Sequence, residues 1–238
     1  MSCVGAFAEL DLEVEILVSA SVPEFSSAKN HSSAIWCSPR LVTICDMAVV
    51  STSPGEPRRF GDVDDLIDHM RVLASVASVE ADGFTELDHA LQTAAILCDV
   101  APEDVELQIA GLVHDLAHPW DGPGQPRHAA MGANAVRNIL GDRVAELILS
   151  HVPAKRYLVA TVPEYASLLS ADSVMTLEAQ GGPMTDAEIE AFEQSGDLQA
   201  KVDLRMADDS AKVPGLVVAP LSSYEDAIRR VAARDVVK

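Results

Sequence analysis

Residues 108–128 read QIAGLVHDLAHPWDGPGQPRH, and this stretch decides how the rest of the chain is understood. Its first half carries Ile109, Leu112 and Val113 at the spacing of a helix face. Just upstream, Pro102 followed by Glu103 and Asp104 suits a helix start, because proline fits the first turn and acids its positive end. The predicted helix runs to about Ala117 and carries the pair His114-Asp115. An aspartate at the end of so apolar a helix is expensive to bury without a strong partner, and a metal ion supplies one. The Gly/Pro stretch from Pro119 to Pro126 then breaks the helix, and a new one is expected near Arg127 or His128.

Outward from this stretch the pattern stays helical. Val63, Leu66, Ile67, Met70, Leu73, Ala74 and Ala77 mark an amphipathic helix upstream, followed by another over 84–98 with Leu87, Leu91, Ala94 and Ala95 on one face. Downstream, Gly141 separates the helix near His128 from one reaching about His151. Further helices are expected at 163–180, ended by Gly181-Gly182, at 186–195 behind the capping box Thr185/Glu188, at 197–209, and after Ser222-x-x-Glu225. Strand-like alternation is negligible in this part of the chain. The fold class is therefore all-α, a helical bundle over 59–238. Residues 1–58 are rich in Ser and Pro, contain one strand-like segment from Leu12 to Val22, and read as a poorly ordered extension.

Composition narrows the partners. With 37 acidic against 17 basic residues, the formal net charge is -20. Such a chain is repelled by nucleic acid and by anionic membranes, but a local pocket of Lys and Arg can still collect a small anion. The cysteines at 3, 37, 45 and 98 show no metal-type pairing, no apolar run approaches the length of a bilayer span, and Glu9, Asp11, Glu13 and Glu15 precede any basic residue. A cytoplasmic location is the expectation. Oligomeric state is not readable.

The histidines carry the chemistry. Of seven, His31 and His69 are read as ordinary, while His89, His114, His118, His128 and His151 cluster around the opening stretch. Neighbours on a helix point about 100° apart, so His114 and Asp115 cannot share one narrow face, yet Asp115 can reach two ions with its two oxygens. Imidazole and carboxylate donors without thiolate suit Fe, Mn or Zn. His118 lies four residues beyond His114, and Lys155 four beyond His151, which on helices places each near the same side as its partner. The last helix before the C-terminal region offers Asp208, with Asp209 as its neighbour.

The order His89, His114-Asp115, His128, His151, Asp208 resembles the HD-domain superfamily in its two-metal form. Three downstream segments, SHVPAKRYL (150–158), TLEAQGGPM (176–184) and KVPG (212–215), sharpen this. They are similar to the HD-domain mixed-valence diiron oxygenases of phosphonate catabolism, relatives of myo-inositol oxygenase, over roughly residues 60–216. The resemblance implies two iron ions, Fe(II)/Fe(III), with O2 as co-substrate. It implies one ion on His89, His114, Asp115 and Asp208, and the other on Asp115, His128 and His151. Asp115 is then the bridge. Asp115 and His118 are the implied catalytic groups, and His118, Lys155, Ser173 and Arg205 the implied phosphonate-binding groups. The implied reaction is oxidative C–P cleavage of a 1-hydroxyalkylphosphonate to a carboxylate and phosphate. Two rivals stay open on the ligand pattern alone: a phosphohydrolase using two divalent ions on a phosphomonoester or nucleotide, and a metal-binding regulatory protein without turnover. One departure bears on substrate. Val79 and Asp82 stand where the family's glycine-forming type member has a Tyr over the open iron position and a Glu toward the substrate amine.

Overall fold

The structure, a computed structural model, describes residues 58–78, 82–121 and 127–235. The expected N-terminal extension with its strand, His31, Val79 and most of the Gly/Pro loop lie outside the described residues.

Nine α-helices follow in order among the described residues: α1 Val63–Val72, α2 Glu86–Val100, α3 Val105–Val113, α4 His118–Asp121, α5 His128–Thr161, α6 Ala171–Ala179, α7 Asp186–Gln194, α8 Leu198–Ser210 and α9 Glu225–Asp235. No strand occurs among these residues, only an isolated bridge between Ala77 and Thr85. The all-α expectation holds. The helix starts follow local chemistry. Asp62 caps α1 by accepting from the Asp65 N–H, Asp104 caps α3 by accepting from Leu107, and Thr85/Asp88 and Thr185/Glu188 form reciprocal capping boxes on α2 and α7.

Four boundaries differ from the sequence reading. The helix of the opening stretch stops at Val113, because the backbone tightens into turns in which Leu116 N–H reaches Val113 O and His118 N–H reaches Asp115 O. The expected helix over 163–180 begins only at Ala171, capped by Ser170, since Tyr165 is buried in the preceding 3-10 turn. Ser222 lies in another 3-10 turn, Leu221–Ser223, and α9 starts after it at Glu225. His151 is not at a helix end either, for α5 continues past Pro153 to Thr161.

α2 packs on α3 and α8, and α5 packs on α3, α8 and α9. Their shared interior contains Leu97, Ile109, Leu112, Val113, Val136, Ile148, Leu204 and Ile228, all fully buried. Truncating Ile109 or Leu112 to Ala would cost about 2–5 kcal/mol by the usual cavity penalty. Gly111 permits the close α2–α3 approach, since a Cβ there would sit 2.4 Å from Leu97 Cδ1. Gly141 does something larger. At φ 88° and ψ 172° it adopts a backbone that L side chains avoid, and it folds α5 into two arms. At the rim, Arg143 of the second arm joins Asp104, Glu106 and Asp197, tying the starts of α3 and α8 to α5. His69 behaves as the ordinary histidine expected: buried, donating from Nε2 to Leu116 O at 2.8 Å, and packed on Phe60 and Trp120.

Candidate metal centre

Four elements bring the expected residues together. His89 comes from the buried face of α2, Asp208 from α8, and His128 and His151 from the two arms of α5. His114 is the C-cap of α3, its own backbone still helical, and Asp115 is the next residue, so the pair sits at the helix end where the chain tightens into turns.

Backbone carbonyls orient three of the rings. Nδ1 of His89 donates to Ala211 O at 2.9 Å, that of His114 to Gly111 O at 2.8 Å, and that of His151 to Ile148 O at 2.7 Å. A carbonyl only accepts, so each of these Nδ1 atoms carries a proton, and a neutral ring turns its Nε2 lone pair inward. The Nε2 atoms of His89 and His114 stand 3.3 Å apart, and those of His128 and His151 3.0 Å apart. Lone pairs at that distance repel unless a proton or a metal ion lies between them. Two nitrogens each about 2.1 Å from one metal ion are separated by roughly 3.0–3.4 Å at ordinary coordination angles, so the spacing fits.

The carboxylates divide in the same way. Asp115 Oδ2 lies 3.2 Å from His114 Nε2 and 3.6 Å from His89 Nε2, while its Oδ1 lies 3.6 Å from His128 and 3.5 Å from His151. Asp208 adds Oδ1 at 3.3 Å from His89 and Oδ2 at 3.8 Å from His114. Asp115 Oδ1 is buried and accepts no hydrogen bond, a costly state for a carboxylate oxygen. Two donor groups result, His89/His114/Asp115/Asp208 and Asp115/His128/His151, each compact enough to hold one ion. A third compact set, Glu86/Asp115/His118, shares the same aspartate.

The electrostatics separate the halves. Burial disfavours charge on His89, but Asp115 and Asp208 outweigh it and push the ring up to about 9. His114 is likewise raised well above its ordinary value, Asp115 and Asp208 again overcoming burial. His151 is lowered well below it, by burial first and then by the neighbouring rings. Both aspartates are held well below the usual carboxylate range despite burial, Asp115 chiefly by His114 and His118, Asp208 chiefly by Arg205 and His114.

Around the donors sit the residues expected to meet an anion. Lys155 is buried and donates to Ser173 O at 3.2 Å and Thr176 Oγ1 at 2.9 Å, joining the second arm of α5 to the first turns of α6. Arg205 is buried on α8, with Nη1 2.9 Å from Asp208 Oδ2 and Nε 3.1 Å from the Tyr165 hydroxyl. Asp209 accepts from Arg205 and Tyr165, so of the two adjacent aspartates it is Asp208 that faces the donors. His118 stands elsewhere, with Nε2 3.4 Å from Asp115 Oδ1 and Nδ1 2.9 Å from Glu86 Oε2. Burial opposes charge on His118, and Asp115 and then Glu86 overcome it, raising its pKa.

Several residues here escaped the sequence reading. Glu86 looks like any acid in a first helical turn, Tyr165 carries no motif, and Thr176 is visible only as the first residue of the TLEAQGGPM segment. Lys212, whose Nζ lies 3.4 Å from Ser170 Oγ, was visible only as part of the KVPG segment. Asp82 is exposed. Among the described residues no helix is long and apolar enough to cross a membrane.

Comparison with known proteins places this geometry. The HD domain family matches residues 87–180. A hydroxymethylphosphonate dioxygenase of Gimesia maris is 36% identical over 199 residues, covering 77% of this chain and 92% of the relative. The 1-hydroxy-2-(trimethylamino)ethylphosphonate dioxygenase (glycine-betaine-forming) of Leisingera caerulea is 32% identical over 54% of this chain and 69% of its own length. An uncharacterised protein of Acanthamoeba polyphaga mimivirus is 30% identical over 60% and 69% respectively. With an HD-domain match over the helices that carry four of the histidine donors, and a relative aligned over nearly its whole length, the chain belongs to the HD-domain phosphonate dioxygenases.

Proposed function

We propose that this enzyme is a diiron dioxygenase that uses O2 to cleave the C–P bond of a 1-hydroxyalkylphosphonate, with hydroxymethylphosphonate the first candidate substrate. The observation that carries the reading is a two-lobed donor set with buried cations beside it, Lys155 next to His151 on α5 and Arg205 on Asp208. His89, His114, Asp115 and Asp208 would hold one iron, and Asp115, His128 and His151 the other, in the Fe(II)/Fe(III) state. When bound, the iron pair supplies O2 activation and one-electron chemistry that no side chain here provides.

The chain's own residues bind and orient. Lys155, with Ser173 and Thr176 at the start of α6, offers an ammonium and hydroxyls to a phosphonate dianion. Arg205 supplies a second fixed positive charge while holding Asp208 in place. His118, packed on His128 with Nε2 3.4 Å from Asp115 Oδ1, would meet the substrate beside the second half. These cations work against a net charge of -20, which favours selection of a small anion over a polyanion. Val79 and Asp82 replace the Tyr and Glu that serve an amine-bearing substrate in the type member, and the Gimesia relative is named for a substrate with no amine.

The balanced reaction is HOCH2PO3(2−) + O2 → HCO2(−) + HPO4(2−) + H(+), with no further reductant. Iron-loaded protein should therefore consume one O2 for each phosphate and formate released, followed by oxygen electrode, phosphate assay and NMR. Longer 1-hydroxyalkylphosphonates and amine-bearing ones should turn over more slowly. Phosphate release from phosphomonoesters without O2 uptake would replace this reading by the hydrolase, and a protein that retains no metal would remove both.

A further inference from the structure

Glu86 is out of place for its type of position. It is the first residue of α2, where an acidic side chain ordinarily lies in water against the positive helix end, yet it is only 7% exposed. Burying a carboxylate there is costly unless it is paired, and its Oε2 accepts the Nδ1–H of His118 at 2.9 Å. His118 needs such a partner. It opens α4, a helix of only four residues, and its side chain is 37% exposed, so the backbone alone holds the ring loosely. The ring packs edge-on against His128, centroids 4.6 Å apart, and turns Nε2 toward Asp115 Oδ1.

We propose that Glu86 is a positioning residue, which by holding Nδ1 of His118 keeps its Nε2 aimed across the second half of the centre at the incoming substrate. A ring bonded at Nδ1 has one nitrogen left for the reaction side, and a fixed partner removes the flipped orientation and the other tautomer. The role rests on the dioxygenase reading for the identity of the substrate, but the ring's orientation does not. Glu86 thus differs from the ligand residues: it acts through His118 and needs no ion of its own. The competing interpretation is that Glu86, Asp115 and His118 bind a further ion.

The test uses Glu86→Ala and Glu86→Gln in the full chain. In zinc-loaded protein, 15N NMR should show His118 protonated at Nδ1 in the wild type and a shift toward the Nε2–H tautomer in Glu86→Ala. Both variants should keep the wild-type metal content. Hydroxymethylphosphonate, titrated calorimetrically into the zinc-loaded protein, should bind Glu86→Ala about 10–100-fold more weakly, the usual cost of losing a supporting partner. Glu86→Gln, whose amide oxygen still accepts from Nδ1, should recover most of that loss. In iron-loaded enzyme the same pattern should appear in KM more than in kcat. An unchanged tautomer in Glu86→Ala would overturn the proposal, as would loss of an ion from Glu86→Gln, which would make Glu86 a ligand. If the wild type bound no phosphonate, the substrate reading would fail while the tautomer result still decided the role of Glu86.

Discussion

The two halves of the donor cluster are built on different plans. The half with His89 and His114 draws on α2, the end of α3 and α8, and faces two carboxylates, Asp115 and Asp208. The half with His128 and His151 comes from the two arms of α5 and has only the other oxygen of Asp115. Anionic surroundings make the first half a cation trap, as the raised His89 and His114 record. The second half keeps His151 neutral and has Lys155 one turn away on the same helix and His118 against Asp115. One half is furnished to retain an ion. The other offers fewer protein donors and one carboxylate fewer, with Lys155 and His118 close by, which is what an anionic substrate needs if it is to complete the coordination itself.

The sharpest way to break this comparison is to remove the group both halves share. Asp115→Ala should lose both ions and all oxygenase activity, read by elemental analysis and O2 uptake together. Retention of two ions would refute the bridging role. His89→Ala and His151→Ala should each retain about one ion per chain, and the ion kept by His151→Ala should be the more tightly held. Equal retention by the two variants would erase the asymmetry.

Proton linkage gives the next largest effect. To load the first half, an ion must displace the proton that His89 holds up to about pH 9 and the one that His114 holds well above its ordinary range, so affinity there should rise about tenfold per pH unit for each proton released, then level off. The second half, with His151 already neutral, should depend less on pH over that interval. The sign for the metal-free fold is opposite. A raised His89 contributes stability that is fully present below its ordinary 6.5 and lost as pH rises through about 9. Metal-free protein should then have a lower Tm at high pH, while metal-loaded protein should not, and a scan of Tm against pH for both forms checks this.

Lys155 sharpens the substrate side of the comparison. Lys155→Met keeps the buried stem and removes the charge, so it should raise KM for the phosphonate by about 10–100-fold, the worth of a charge-assisted hydrogen bond, and leave metal content unchanged. A matching fall in kcat with unaltered KM would place Lys155 outside the binding site.

How much of this was readable beforehand depended on whether the information was local. The HD pair, the histidine spacing and the capping boxes are short-range patterns, and each marks its element without help from the rest of the fold. The choice between Asp208 and Asp209 was not local. Both lie on the Arg205 side of α8, three and four residues on, and only tertiary packing turns Asp208 to the histidines and Asp209 to Tyr165. Tyr165 also explains the misplaced start of α6, since burying its ring under Arg205 holds the chain in turns until Ser170 can cap. Glu86 stayed hidden because a first-turn acid signals solvent, and its burial arises from a partner 32 residues away.

The mildest prediction tests why the second half can come from one continuous stretch of helix at all. His128 and His151 are 23 residues apart, and on a straight helix that separation is roughly 34 Å, yet their Nε2 atoms lie 3.0 Å apart. The whole closure is made at Gly141, whose backbone at φ 88° suits glycine alone. Gly141→Ala should cost about 1–3 kcal/mol of stability from backbone strain, measured by urea denaturation. The first half does not depend on that turn, so its ion should be retained while the His128/His151 ion binds more weakly. If Gly141→Ala weakened both ions equally, the halves would be mechanically coupled through α5, and their independence, on which the division between retaining an ion and receiving a substrate rests, would have to be abandoned.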